Sequence, residues 1–540
     1  MLEATSPTAS VSSPHSSKSS SLELQSLISH GGDEHEDVNL SFPKDSHGNG
    51  HFPTAAGGTA TPSKVATNIF ISFVGCGMLG MPYAFSQSGH VLGSLTLAAI
   101  STLNLYAMLN LCDTRKELTR WGHSNIRNYG DVGKVIGGKV GEVFVNALLV
   151  LSQVGFATAY IIFISVNVLQ MFHVSRFLTC LACIPLLVAL VQITHLATLA
   201  PFSLLADVSM LAGLFFVFYY DYQHYADPNT LPHPTLVPAN YSSFLYVAGV
   251  SIYALEGAAM ILPLESSCAD PKSFPSILAK CMFGITSLMI LFGLAGYVAF
   301  GDDTLAPITL NLAGTVYATL VKLALCVALY FTFPIMMFPV HDVLEDALAS
   351  IMRWCYRRDS ANANTNMNTS STTSSSSSMP SRWNKKCLRA SVVCGSAWIA
   401  YSIPDFGKFL SLVGSSVCTL LGFILPCWFH LQTFHGKQVE VILQQQQQRE
   451  STTTSSNNNN SNNNNNNNAY GAEEGGGGRG GGTEKRIIKA KKLRWWQWAL
   501  DWFLIAFGIV FGVLGTLQSY ENLSAEQKEG WDHANGPSGD

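Results

Sequence analysis

An apolar run at about residues 65–86 is long enough to cross a bilayer, and its middle reads Val74-Gly75-Cys76-Gly77-Met78-Leu79-Gly80-Met81-Pro82. Three glycines and a proline fall within eight residues, at the depth where a spanning helix has least reason to break. Non-helical backbone inside a membrane is tolerated only where protein buries it or it lines a cavity. Discontinuous helices at mid-membrane build the binding sites of secondary transporters. This one run therefore constrains both the architecture and the class of activity.

Of 540 residues, 48% are hydrophobic and only 12% charged. Soluble domains carry about 25% charged residues, so the chain reads as an all-α polytopic membrane protein diluted by polar segments. Its net charge of −4 says little beside the distribution of that charge. None of the 12 cysteines falls in the short loops expected on the outer side, which argues against disulfides. Cys180-x-x-Cys183 has metal or redox spacing, but its apolar flanks favour buried packing. No metal or cofactor is expected.

A span needs about 20 apolar residues. Eleven runs qualify, at roughly 65–86, 91–112, 141–172, 177–194, 203–220, 244–265, 276–300, 314–339, 387–402, 406–430 and 497–520. Lysine and arginine set their orientation. The 113–139, 340–386 and 485–494 segments are basic, whereas 221–243 and 301–313 contain no Lys or Arg. That alternation places the N-terminus and the basic loops in the cytosol and the C-terminus opposite. The sequons Asn240-Tyr241-Ser242 and Asn522-Leu523-Ser524 fall on the far side.

Residues 1–63 read as a disordered cytosolic tail, 64–220 as one repeat of five spans and 244–435 as a second. A disordered insert is expected at about 359–381, a low-complexity loop at 436–494, a last span at 497–520 and a non-cytosolic tail at 521–540. Ser/Thr/Asn, Gln, Asn and Gly tracts in these loops are compositional, without a fold. The cluster at 485–494, followed by Trp495, Trp496 and Trp498, reads as an anchor on anionic lipid. Its place beside a span disfavours nucleic acid.

The sixth run echoes the first. Tyr253-Ala254-Leu255-Glu256-Gly257 and Met260-Ile261-Leu262-Pro263 again set small residues at mid-span, then Met, an aliphatic and Pro. Five spans separate the two, so the repeats are inverted in the membrane. A broken helix frees amides at the start of its second half and carbonyls at the end of its first. The amides attract an anion. An amino acid carries one carboxylate and one ammonium. Gly77, Met78 and Leu79 amides are expected to receive the carboxylate, and carbonyls near Phe73, Val74, Tyr253 and Ala254 the ammonium. Gly75, Cys76 and Gly257 leave room. A side chain at position 77 is expected to fill the carboxylate site. The competing reading is a small-residue packing face.

Glu256 is an ionisable group at mid-bilayer and so a functional candidate. It serves as a proton carrier, as a partner of the substrate ammonium, or as a structural carboxylate on its own broken helix. Glu265 and Lys280 sit at helix ends, where snorkelling explains them. Lys322 lies about two turns inside its run. Tyr83, Tyr160, Tyr253, Tyr330 and Phe331 are candidate cavity aromatics, although aromatics at helical spacing usually pack.

The stretch Asn68 to Phe85 strongly resembles the amino acid/auxin permease family. The vacuolar neutral and the proton-assisted amino acid transporters are its most similar branches. Tyr253-Ala254-Leu255-Glu256-Gly257, Leu199-Ala200-Pro201-Phe202 and Ala206-Asp207-Val208 carry the resemblance further. It spans roughly 64–435 and 497–520. The resemblance implies a LeuT-like 5+5 inverted repeat plus one span, and proton-coupled transport of small neutral amino acids. The proton-assisted branch carries a histidine where Asn68 stands, which leaves the proton site open. The family's aromatic before the glutamate is Leu255 here. Similar proteins with Asn at this position export amino acids from vacuoles.

The expected function is therefore a non-enzymatic amino acid carrier in a vacuolar or lysosome-like membrane, the plasma membrane being the alternative, with an amino acid, a proton and the bilayer as its partners. The alternative is an amino-acid sensor or scaffold on the same fold. An intramembrane aspartyl protease on Asp221 and Asp302 is disfavoured, because both lie near the far surface.

Overall fold

The computed structural model describes residues 58–123, 126–193, 196–226, 241–312, 314–363, 382–403, 405–434, 438–443, 484–489 and 493–535. The expected tail at 1–57, most of the insert and the tracts at 444–483 lie outside these residues.

Helix α1 (Pro62–Phe73) begins on a proline, whose fixed φ suits a first turn, and stops at extended Val74. A single 3₁₀ turn follows at Cys76–Gly80, and α2 runs Met81–Arg120. The first expected run is thus interrupted at its middle. Gly89, at φ 75°, breaks α2 again, into the rest of the first run and all of the second. Only glycine adopts that φ at no cost.

Helix α3 (Tyr129–Phe172) starts in a capping box, with Asn128 accepting from the Asp131 amide. Gly138, at φ 63°, folds its first two turns back. Gly133 and Gly141 then touch so closely that a Cβ on Gly133 would lie 2.8 Å from the Gly141 carbonyl. The third run is long for that reason: its first turns are a separate piece. Next come α4 (Arg176–Val191), α5 (Leu196–Ala226), α6 (Tyr241–Ala254), α7 (Ala258–Ser267) and α8 (Phe274–Phe300). The residues between α6 and α7 are the second mid-run interruption.

Helix α9 (Val316–Ala363) extends well past its apolar run and into the expected insert. After α10 (Arg382–Ser402), one long rod is built from α11 (Phe406–Val413), π-helical turns at Gly414–Cys418 and Leu420–Ile424, and α12 (Leu425–Phe434). Strands β1 (Gln438–Leu443) and β2 (Glu484–Lys489) pair antiparallel, within the loop that composition reads as unfolded. Val439 pairs with Ile488 in that register, and Val439, Val441 and Leu443 alternate along β1 as a weak strand pattern. Helix α13 (Trp495–Asn535) runs beyond the expected last span.

Among the described residues, eight helices are long and apolar enough to cross a membrane, and Arg176–Val191 is a shorter apolar one. The main cluster of buried side chains forms where α2 packs on α6 and α8, and α9 on α3 and α5; a smaller one gathers Leu111, Tyr129, Leu262 and Leu421. Outward faces carry large apolar groups such as Leu186, Phe215 and Phe283, all more than half exposed. Apolar groups facing out over polar groups facing in is the pattern of a protein in lipid.

Candidate functional site

The two interruptions face each other. A Cβ on Gly77 would lie 3.0 Å from both Cα and Cβ of Ala254, and one on Gly257 would lie 2.3 Å from the Phe73 ring. Each glycine thus lets one break press against the other. Gly75 differs, because a Cβ there would meet nothing within 4 Å. Its backbone is extended at φ −139°. Open space at the break therefore lies beside Gly75, not Gly77. The expectation that a side chain at Gly77 would fill the site gives way to this packing: it would push the two breaks apart instead.

One of the expected amides is already engaged. The Met78 amide donates to the Gly75 carbonyl at 3.1 Å, closing the 3₁₀ turn. Met78 and Leu79 are fully buried in that turn. The amides that precede any helical acceptor are those of Cys76 and Gly77. On the acceptor side, Val74 and Ala254 stand at the ends of α1 and α6. The Tyr253 carbonyl takes a long bond, 3.4 Å, from the Glu256 amide.

Tyr253 and Cys76 join the two breaks laterally, with Tyr253 Oη 3.5 Å from Cys76 Sγ. Phe156 of α3 meets Tyr253 edge to face, with ring centroids 4.9 Å apart. Tyr160, one turn on, is buried as well. The walls are thus apolar or neutral. The rod of α11 closes the back, since a Cβ on Gly414 would lie 1.9 Å from the Gly249 carbonyl. The π-helical turns start at that contact, and such turns recur at functional sites.

Glu256 is partly buried, and the Ala258 amide at the head of α7 bonds its side chain. Its Oε1 is buried without a hydrogen-bond partner. The carboxyl therefore caps a broken helix and also keeps one oxygen in reserve. Both sequence readings of Glu256 have a counterpart in this geometry.

Other expectations shift. Glu265 does not snorkel: it is fully buried, with Lys116 at 3.1 Å and Arg115 at 3.6 Å. Lys322 is buried too, donating to Gln170 Oε1 at 2.8 Å and to the Leu312 carbonyl at 3.2 Å. Tyr330 donates to the Cys183 carbonyl at 3.4 Å. Tyr83 packs on Tyr246, away from the breaks.

Sequence reasoning passed over several residues. Asn104 reaches the Leu255 carbonyl from α2; its one signal was a buried amide within an apolar run. Tyr129 donates to the Leu421 carbonyl at 3.1 Å, within the π-helical stretch. Asp501 takes bonds from Asn110 at 2.7 Å and Tyr106 at 2.9 Å, and lies 2.7 Å from His430.

Residues 58–446 match the family model described as "Transmembrane amino acid transporter protein". The chain is 37% identical over 388 residues to the Arabidopsis thaliana "Amino acid transporter AVT3B", covering 69% of this chain and 85% of that protein. It is 27% identical over 371 residues to "Vacuolar amino acid transporter 3" of Saccharomyces cerevisiae, covering 66% and 50%. Against the structure of a Na+-coupled sialic acid symporter the TM-score is 0.34, at 11% identity over 69% of this chain and 86% of that one, a likeness too slight to fix the placing of helices. With two facing breaks in apolar helices and a family match over most of its length, the chain is a member of the transmembrane amino acid transporter family.

Proposed function

We propose that this protein carries small neutral amino acids across a vacuolar or lysosome-like membrane by alternating access, driven by a proton gradient. The observation that carries the proposal is the pair of breaks, pressed together at Gly77–Ala254 and Phe73–Gly257, with open space beside Gly75. The Cys76 and Gly77 amides suit the carboxylate of a zwitterion, and the Val74 and Ala254 carbonyls suit its ammonium. Cys76, Phe156, Tyr160 and Tyr253 supply no charge, which favours a neutral side chain.

The breaks lie in the first and sixth apolar runs, which supports two inverted repeats at 64–220 and 244–435. Rocking one bundle against the other around fixed breaks would open each side in turn. Glu256, with its unpartnered Oε1, is the candidate proton carrier. The yeast relative's name, vacuolar amino acid transporter, supports the location. The basic loops support a cytosolic N-terminus.

The test is uptake of radiolabelled alanine into vesicles reconstituted with the full chain, under an imposed pH step. Net accumulation that collapses when a protonophore is added supports the proposal. Binding without net uptake would instead mark a sensor.

A further inference from the structure

Toward the far end of the rod that backs the breaks, a second set of ionisable side chains meets in the dry part of the fold. His430 of α12 and Asp501 of α13 are 1% and 0% exposed, with His430 Nδ1 2.7 Å from Asp501 Oδ2. From α2, Asn110 Nδ2 donates to Asp501 Oδ1 at 2.7 Å and the Tyr106 hydroxyl at 2.9 Å. Cys427, one turn before His430, also faces Asp501 and stands 4.0 Å from Asn110 Nδ2. The Phe434 ring lies against the imidazole, with centroids 4.7 Å apart. Three helices thus converge on one carboxylate.

This cluster lacks a positive charge. Among the described residues no Lys or Arg pairs with Asp501; its ion-pair partner is His430. Amide, hydroxyl and thiol donate without carrying charge. With a neutral imidazole the cluster therefore holds one negative charge where an uncompensated charge is costly. One proton on the ring, at Nε2, turns it into an imidazolium–carboxylate pair of zero net charge. Histidine is the side chain that gains charge between about pH 5 and about pH 8. An ionisable pair inside a membrane span is a functional site by default. The Tyr106 hydroxyl also reaches the Gln497 carbonyl at 3.3 Å, one turn nearer the start of α13, and Tyr106 itself is half-buried. That contact leads from the pair toward the ends of α12 and α13, where the basic 485–494 segment joins α13.

We propose that the His430–Asp501 pair binds a proton, separately from Glu256, and that this proton tightens the hold of α12 on α13. The proton arrives from the membrane face that carries the basic segments, so the pair reports the acidity of that side. Helix α12 continues the π-helical turns that press on α6 at Gly249, which ties the state of the pair to the wall behind the breaks. The site stands on its own geometry and does not depend on which group carries a transported proton.

The full chain with isotope-labelled histidine, in nanodiscs, tests it by nitrogen magnetic resonance between about pH 8 and about pH 5. One imidazole, the one missing from His430→Gln, should gain a proton at Nε2 as the pH falls. Asp501→Asn keeps an acceptor for Asn110 and Tyr106 but removes the charge, and should abolish that gain within the range. Where His430→Gln does not fold, the resonance altered in Asp501→Asn identifies the same ring. Thermal melts read the hold between the helices. Glutamine offers Asp501 a neutral donor at every pH, so the midpoint gap between wild type and His430→Gln should be wide at about pH 5 and close toward about pH 8, as the proton leaves. A ring whose charge does not change across the range, or changes equally in Asp501→Asn, overturns the site. An equal gap at both ends of the range overturns the tightening.

Discussion

The side-chain amide of Asn104 donates to the Leu255 carbonyl, beyond the last turn of α6. That carbonyl belongs to the break, so a residue 151 positions away satisfies a group that helix geometry cannot. In lipid such a group has no water to fall back on. Asn104→Leu should therefore leave it orphaned and cost about 1–3 kcal/mol. A lower thermal unfolding midpoint together with reduced alanine flux is expected. Unchanged values for both would remove Asn104 as the support of the break.

Gly75 and Gly77 should respond differently to substitution. Gly75 has extended backbone and free space, so Gly75→Val should fold normally yet lose at least tenfold in flux, about 1.4 kcal/mol in effective affinity. Gly77→Ala should destabilise by about 1–3 kcal/mol, because its Cβ meets Ala254 at 3.0 Å in an overpacked contact. Thermal melts and uptake measured on both variants check the contrast. A stable, fully active Gly75→Val would place the substrate elsewhere.

Glu256→Gln preserves the size of the side chain and an acceptor for the Ala258 amide, so the head of α7 stays capped. What it removes is the exchangeable proton. Flux of alanine down its own gradient should persist, while accumulation driven by a pH step should disappear. If the pH step still drives accumulation in this variant, Glu256 is a cap and the proton moves elsewhere.

Both breaks were legible because glycine and proline interrupt a run that otherwise has no cause to stop. The residues that brace them were not. Asn104, Phe156 and Gly414 lie in other apolar runs, and no local pattern says which runs become neighbours. Glu265 at a helix end looks like a snorkelling group until the fold brings Arg115 and Lys116 to it. Sequence marks the break but not the 3₁₀ turn that takes up the Met78 amide.

Asp501 offers the sharpest test of how the last helix is held. It is fully buried, and each of its oxygens is taken: Oδ1 by Asn110 and Tyr106 of α2, Oδ2 by His430 of α12. One side chain thus fastens α13 to two helices, one of which leads into the π-helical stretch behind the breaks. Asp501→Leu would strand an imidazole and an amide in a dry setting and leave the Tyr106 hydroxyl only the Gln497 carbonyl. Breaking a buried pair by removing one partner costs about 3–5 kcal/mol. Asp501→Asn keeps an acceptor for Asn110 and Tyr106 and should cost less. The expected order of thermal stability is wild type, then Asn, then Leu, with trypsin cleavage between 444 and 494 in the Leu variant releasing α13 from the rest in detergent. Co-purification of α13 with the core after that cleavage would show that apolar packing alone, such as Phe507 on Phe423, holds the helix.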